Sequence, residues 1–159
     1  MTEPSALLQS GDLTLRRVGS ADLPSLVALQ QAAYAKNRPL LGVEPLPLLA
    51  DYAEVLAKYE VYLAERDGAL DGVLILAPRP DDLLIWSVAV APHAQGHGVG
   101  NTMLTFAEMR TRELGLSCIR LYTGEPLTAN IAWYTRHGYA HERLEDMGDR
   151  RIVHLIKHL

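Results

Sequence analysis

Residues 88–100, Val88-Ala89-Val90-Ala91-Pro92-His93-Ala94-Gln95-Gly96-His97-Gly98-Val99-Gly100, run from an apolar segment through a glycine-rich turn into an amphipathic pattern. The reading is a strand, a tight loop and the start of a helix. Alternate glycines remove the Cβ atoms that would hold a ligand away from the main chain, and the helix behind them begins with unpaired, positively polarised N–H groups. Such a place binds anions, phosphate above all.

The elements on either side set the fold. Upstream, Leu13 and Leu15 alternate with Thr14 and Arg16 as in a half-buried strand. Ser20 is placed to cap a helix with Asp22 and Pro24 in its first turn, and Leu23, Leu26, Val27, Gln30 and Tyr34 share its packed face. Three prolines and Gly42 make residues 36–47 a loop, after which Leu48, Leu49, Tyr52, Val55, Leu56 and Tyr59 recur at helical spacing. Val61–Glu65 and Leu70–Ala77 form a hairpin about Asp67-Gly68, which supplies the positive φ angles of a tight turn. Leu83–Ala91, apolar at nearly every position, reads as a central strand.

Downstream, Val99, Met103, Phe106, Ala107 and Leu114 form one helix stripe closed by Gly115. Ile119, Leu121 and Thr123 mark a strand reached by that crossover and therefore parallel to Leu83–Ala91. A short helix capped by Thr128 ends at Gly138, and residues 139–143 and 151–157 close the sheet. The expectation is one α/β (α+β) domain over residues 1–159, with a mixed, mostly antiparallel sheet of six to seven strands flanked by about four helices. Residues 1–10 are expected to be a flexible N-terminal segment.

Composition excludes several roles. Fifteen Lys and Arg against nineteen Asp and Glu give a net charge of −4, so the basic footprint of a nucleic-acid binder is missing. Met1–Ser10 lacks a basic segment followed by an apolar core, and no apolar run reaches the roughly 18 residues of a membrane span. One cysteine, Cys118, cannot form an internal disulfide, which fits a reducing, cytoplasmic setting. His93 and His97 lie in a loop with no third ligand, so no metal is expected. Arg150 and Arg151 read as a solvated strand edge.

Phosphate loops of other kinds do not match the glycine turn. A nucleotide-triphosphatase loop needs a lysine where Gly100-Asn101-Thr102 has none, and a dinucleotide fingerprint needs its third glycine one position later than Gly100. Gln95-Gly96-His97-Gly98-Val99-Gly100 instead resembles the Gln/Arg-x-x-Gly-x-Gly/Ala motif of the GNAT superfamily of acyl-CoA N-acyltransferases. Asn130-Ile131-Ala132-Trp133-Tyr134-Thr135-Arg136-His137-Gly138-Tyr139 is similar to that family's second motif, and the order of elements resembles it from Leu13 to Leu159.

The resemblance implies acetyl-CoA as co-substrate. Main-chain N–H groups of Gln95, Gly96, His97, Gly98, Val99, Gly100 and Asn101 would hold its pyrophosphate, Val88, Ala89 and Val90 its pantetheine arm, and Asn130 would hydrogen-bond it. Tyr134 would protonate the leaving thiolate. The acceptor would be a primary amine of a small molecule or peptide, and Tyr34, Glu44, Tyr52 and Trp86 are candidates for its site, although Tyr34 and Trp86 also suit a core and the two helices a plain lid. Many relatives carry a glutamate on the strand where this chain has Ile85-Trp86-Ser87. Its absence leaves Glu44 or a water chain as the base, and keeps open a second role as a non-catalytic coenzyme A sensor or interaction module. Family members are often homodimers, which is the expectation for assembly.

Overall fold

A computed structural model describes residues 7–159; of the expected flexible segment, residues 1–6 lie outside it, and Leu7–Ser10 form a strand. That strand, β1, precedes β2 (Leu13–Arg17), β3 (Glu60–Arg66), β4 (Ala69–Pro78), β5 (Leu83–Val90), β6 (Cys118–Gly124), β7 (Ala140–Asp146) and β8 (Arg151–His158). The helices are α1 (Leu23–Tyr34), the single turn α2 (Arg38–Leu41), α3 (Tyr52–Lys58), α4 (Val99–Glu113) and α5 (Thr128–Arg136). The sheet has eight strands in the order β1-β2-β3-β4-β5-β6-β8-β7, and the strand beyond the expected count is β1, which pairs with β2. Every neighbouring pair is antiparallel except β5 and β6.

That exception makes the site. β5 and β6 pair only at Leu83 with Ile119 and Leu84 with Arg120, then part. Along the opposite edge of β5, Ile75 pairs with Ser87 and Leu76 with Ile85, so Trp86 is the extra residue of a β-bulge. A bulge bends its strand and sharpens the local twist. Residues 85–90 of β5 thus keep β4 on one side and face a gap on the other.

Side chains from the sheet and helices fill the core. α1 and α4 both pack on β4 and β5. Arg110 of α4, fully buried, forks onto Glu60 of β3 at 2.9 and 2.7 Å, and the Tyr62 hydroxyl donates to the same carboxylate at 2.8 Å. The charge is buried with its partner, which fixes α4, and with it the glycine loop, against the sheet.

Several local details differ from the sequence reading. Asp22, not Ser20, organises the entry to α1: its carboxylate accepts the Gly19 N–H at 2.8 Å and both Arg16 Nη groups at 2.9 Å. α3 begins at Tyr52 rather than Leu48, because Asp51 accepts the Ala53 N–H and Leu46–Leu49 is a separate 3₁₀ turn. The loop of residues 36–47 contains α2, ended by Gly42 at φ +73°. Thr128 is the first residue of α5, and its side chain caps nothing. The hairpin turn agrees: Asp67 and Gly68 take φ +51° and +79° between Arg66 and Ala69, which pair. Among the described residues no helix is long and apolar enough to cross a membrane.

Candidate functional site

Two cavities, of about 470 and 130 Å³, occupy the gap beside β5. The larger is lined by Val88, Ala89, Val90, Gln95, Gly96, Gly98, Val99, Gly100 and Asn101 on the glycine-loop side, and by Asn130, Trp133 and Tyr134 of α5. Gly96 and Gly98 take φ +83° and +81°, a region in which a side chain would be strained. The first bond of α4 runs from Thr102 N–H to Gly98 C=O, so the N–H groups of Val99, Gly100 and Asn101 have no partner in the helix. Gly100 is glycine for a further reason: a Cβ there would stand 2.9 Å from Trp133 Cζ2. The two motifs are therefore in contact, α4 resting on the ring of α5.

Lys36 also lines this cleft and donates to Gln95 Oε1 at 3.3 Å, adding a cation that no sequence pattern marked. His97 is exposed and lies outside the lining. His137 links the same region, with its two ring nitrogens 2.9 Å from Asn101 Oδ1 and 2.7 Å from Trp133 O. Among the described residues no cluster of three or more His, Cys, Asp or Glu could hold a metal.

The smaller cavity lies under the loop of residues 45–47 and beside β6 and β8. Tyr34, Asn37, Val88, Asn130 and Tyr134 line both cavities, so the two meet at these side chains. Burial pushes the Tyr134 phenol well above its ordinary pKa, with the Tyr34 and Tyr139 phenols adding to the shift. A phenol in that condition is fully protonated at neutral pH and able to donate. Burial likewise raises Tyr34, against the opposing effect of its hydrogen bond to Ser87.

A polar chain runs behind this junction. Tyr34 Oη is 2.8 Å from Ser87 Oγ, Gln30 Nε2 donates at 3.0 Å to both Ser87 Oγ and Tyr52 Oη, and Tyr52 donates to Pro47 O at 2.6 Å. Tyr52 thus stands behind the cavity rather than on it, its phenol pushed up to about 12 by burial. Trp86, at the bulge, lines the cavity and rests its ring on Tyr52 and Tyr59 at 6.1 and 5.9 Å. Glu44 does not join them: its carboxylate pairs with Arg38 at 2.6 Å, outside the cavity lining. Ser87 and Gln30 lay hidden within an apolar strand and a helix face, and Asn37 carried no motif.

Arg150 departs most from the sequence reading. Its side chain is only 8% exposed and lines the small cavity, together with the half-exposed Arg151. It is not a solvated strand edge, because the loop of residues 42–47 folds over it and Glu44 O accepts from Nη1 at 2.7 Å.

Residues 24–139 match the model of the acetyltransferase (GNAT) family. The chain is 30% identical over 89 residues to an amino-acid acetyltransferase of Ralstonia nicotianae, an overlap of 55% of this chain and 19% of that protein. It is 33% identical over 96 residues to a mycothiol acetyltransferase of Cellulomonas flavigena, covering 54% of this chain and 28% of the other. The matched stretch is thus under a third of either relative's length. A crystal structure of a GNAT family acetyltransferase from Elizabethkingia anophelis with acetyl-CoA bound shares the fold: TM-score 0.73 over 94% of this chain and 100% of that one, at 17% identity.

Proposed function

Since the chain belongs to the acetyltransferase (GNAT) family, we propose that it moves an acetyl group from acetyl-CoA directly to a primary amine of a small molecule or peptide. One observation carries the reading. A cleft built on a glycine loop meets a second, smaller cavity at the Tyr134 side chain, on the unpaired edge of a parted strand pair. A donor and an acceptor entering from opposite sides would meet there, the arrangement that direct transfer needs.

The glycine loop fits a pyrophosphate on this chain's own terms. A Cβ at Gly96 or Gly98 would meet nothing within 4 Å, so the space above the loop is open, and unpaired N–H groups of α4 and the Lys36 ammonium border it. When bound, acetyl-CoA supplies the acyl group as a thioester open to attack by an amine. Gln95, Gly96, Gly98, Val99, Gly100 and Asn101 hold the phosphates through the main chain. Val88, Ala89 and Val90 offer main-chain groups to an extended arm, as an edge strand does to an added one. A main-chain N–H on this edge stabilises the carbonyl oxygen as its charge grows. As the N–C bond forms and the C–S bond breaks, Tyr134 gives its proton to the sulfur, and the proton that leaves the acylated nitrogen returns through water to the Tyr134 phenolate. Asn130, one turn before Tyr134 on α5, orients the donor.

Thermal unfolding with acetyl-CoA, beside NAD and ATP, tests the binding half. A ligand at a hundredfold over its dissociation constant adds about 2.7 kcal/mol, roughly 5–10 °C for a domain of this size, and only acetyl-CoA should give it. Tyr134→Phe should then cut thiol release by about a hundredfold while leaving acetyl-CoA affinity unchanged. Equal turnover would remove Tyr134 from the chemistry, and no shift with acetyl-CoA would remove the function.

A further inference from the structure

The small cavity is the chamber left for the acceptor if the proposed transfer is right, and its walls carry a charge pattern of their own. Arg150 and Arg151 line it, and among the described residues no aspartate or glutamate does. We infer that the acceptor is a small amine that also carries an anionic group, a carboxylate in the simplest case, and that Arg150 takes the anion.

The guanidinium has five N–H groups. Nε and Nη2 donate to Asp149 at 3.2 and 3.1 Å, and Nη1 donates to Glu44 O at 2.7 Å. One hydrogen on Nη1 and one on Nη2 are left, the number a second carboxylate takes as a bidentate pair. Asp149 is 59% exposed and does not line the cavity, so the cavity side of Arg150 is left to another anion. A guanidinium this deeply buried is worth little to stability with one exposed partner, and gains most from an anion that enters the cavity with it.

The same contact limits the size of the acceptor. Arg150 Nη1 on Glu44 O ties the loop before β8 to the proline loop across 106 positions of sequence, roofing the chamber. Leu41 adds to the roof by lying over Gly124, where a Cβ would stand 2.5 Å from its Cδ2. A protein substrate would have to break this tie, whereas a small molecule passes under it. The absence of a lining carboxylate also works against polycations, which need an acid for each ammonium.

The test uses the full chain, acetyl-CoA and free-thiol release. Acceptors are the twenty protein amino acids and aminomethylphosphonate, each amino acid beside its primary amide and its decarboxylated amine, with spermidine and an amidated tripeptide as further arms. At least one acid should exceed its own amide and amine by roughly a hundredfold in kcat/KM, since a site built to bond a group rejects the analogue lacking it. Arg150→Met should bring that ratio to within about threefold, and Arg150→Lys should leave it between the two, because an ammonium keeps the charge and loses the fork. Reading a ratio within one protein cancels any general loss of folded enzyme. The inference is overturned if all the acids are idle, if spermidine, the tripeptide or the neutral amines are faster, or if the ratio survives Arg150→Met. Acetyl-CoA affinity is measured on the same samples. Its absence would sink the proposed transfer itself, while its presence with idle acids sinks only the acceptor class.

Discussion

Gly100→Ala should destabilise the chain as it stands and stabilise it once Trp133 is shortened. Gly100 is the second residue of α4, and its added methyl would lie 2.9 and 3.2 Å from Cζ2 and Cη2 of Trp133, both inside normal contact. Overpacking of this kind costs about 1–3 kcal/mol. Alanine in place of glycine returns up to about 1 kcal/mol in a helix, less near its first turn. The expected net loss is therefore roughly 0–2.5 kcal/mol. In a Trp133→Leu background the ring is gone, and the same substitution should gain about 0.5–1 kcal/mol, giving a coupling of about 1–3 kcal/mol across the cycle. Urea unfolding of the four proteins measures it. The displaced ring also moves α5, which carries Asn130 and Tyr134, so Gly100→Ala should weaken acetyl-CoA about tenfold by calorimetry, as ångström-scale misplacement does. Additive energies, to within about 0.5 kcal/mol, would refute the contact as the reason for the glycine.

Two further substitutions probe the frame around the site. Ser87→Ala removes the partner of Tyr34 Oη and one of the two partners of Gln30 Nε2, and should cost about 1–3 kcal/mol and lower turnover with acetyl-CoA affinity intact; unchanged turnover would show that Tyr34 needs no anchor. Asp22 is held down to about 2 by its bonds to the Arg16 guanidinium, with the Gly19 N–H assisting. A depressed folded pKa gives stability that is present above the unfolded value of about 3.9 and is lost as pH falls toward 2. Asp22→Asn should accordingly narrow its stability deficit against the parent chain as pH drops from about 5 to 2, and a deficit that stays constant across that window rules the linkage out.

What the sequence reveals and what it hides divide along the range of the interaction. Asp67-Gly68, Gly96-x-Gly98 and Gly115 announce their turns because a positive φ is a demand of one residue on itself, and all of them take it. The stripe of α4 and the crossover to β6 were legible for a similar reason, as periods written into consecutive residues. Trp86 could not be read as a bulge: Ile85, Trp86 and Ser87 look alike in pattern, and only the register with Ile75 and Leu76 leaves Trp86 over. Ser87 hid the same way, since a hydroxyl inside an apolar strand shows nothing until Gln30 and Tyr34 of α1 stand against it.

Arg150 is the extreme case. Gly148-Asp149-Arg150-Arg151 has every local mark of a solvated turn, and Asp149 and Arg151 are indeed largely exposed. What buries Arg150 is a carbonyl 106 positions away, on a loop made irregular by its prolines. Sequence reasoning assigns a charge to solvent by default because burying one costs so much. A charge found buried against that default, beside a cavity with no carboxylate among its described lining residues, is therefore information about the ligand rather than about the fold. The stretch Ile85-Trp86-Ser87 makes the same point from the other side. Ser87 is bonded to Gln30 and Tyr34, so among the described residues the lining offers an acceptor hydroxyls and two guanidinium groups and no carboxylate. An amine that enters such a chamber gains nothing by remaining an ammonium, and sheds its proton more readily than in water.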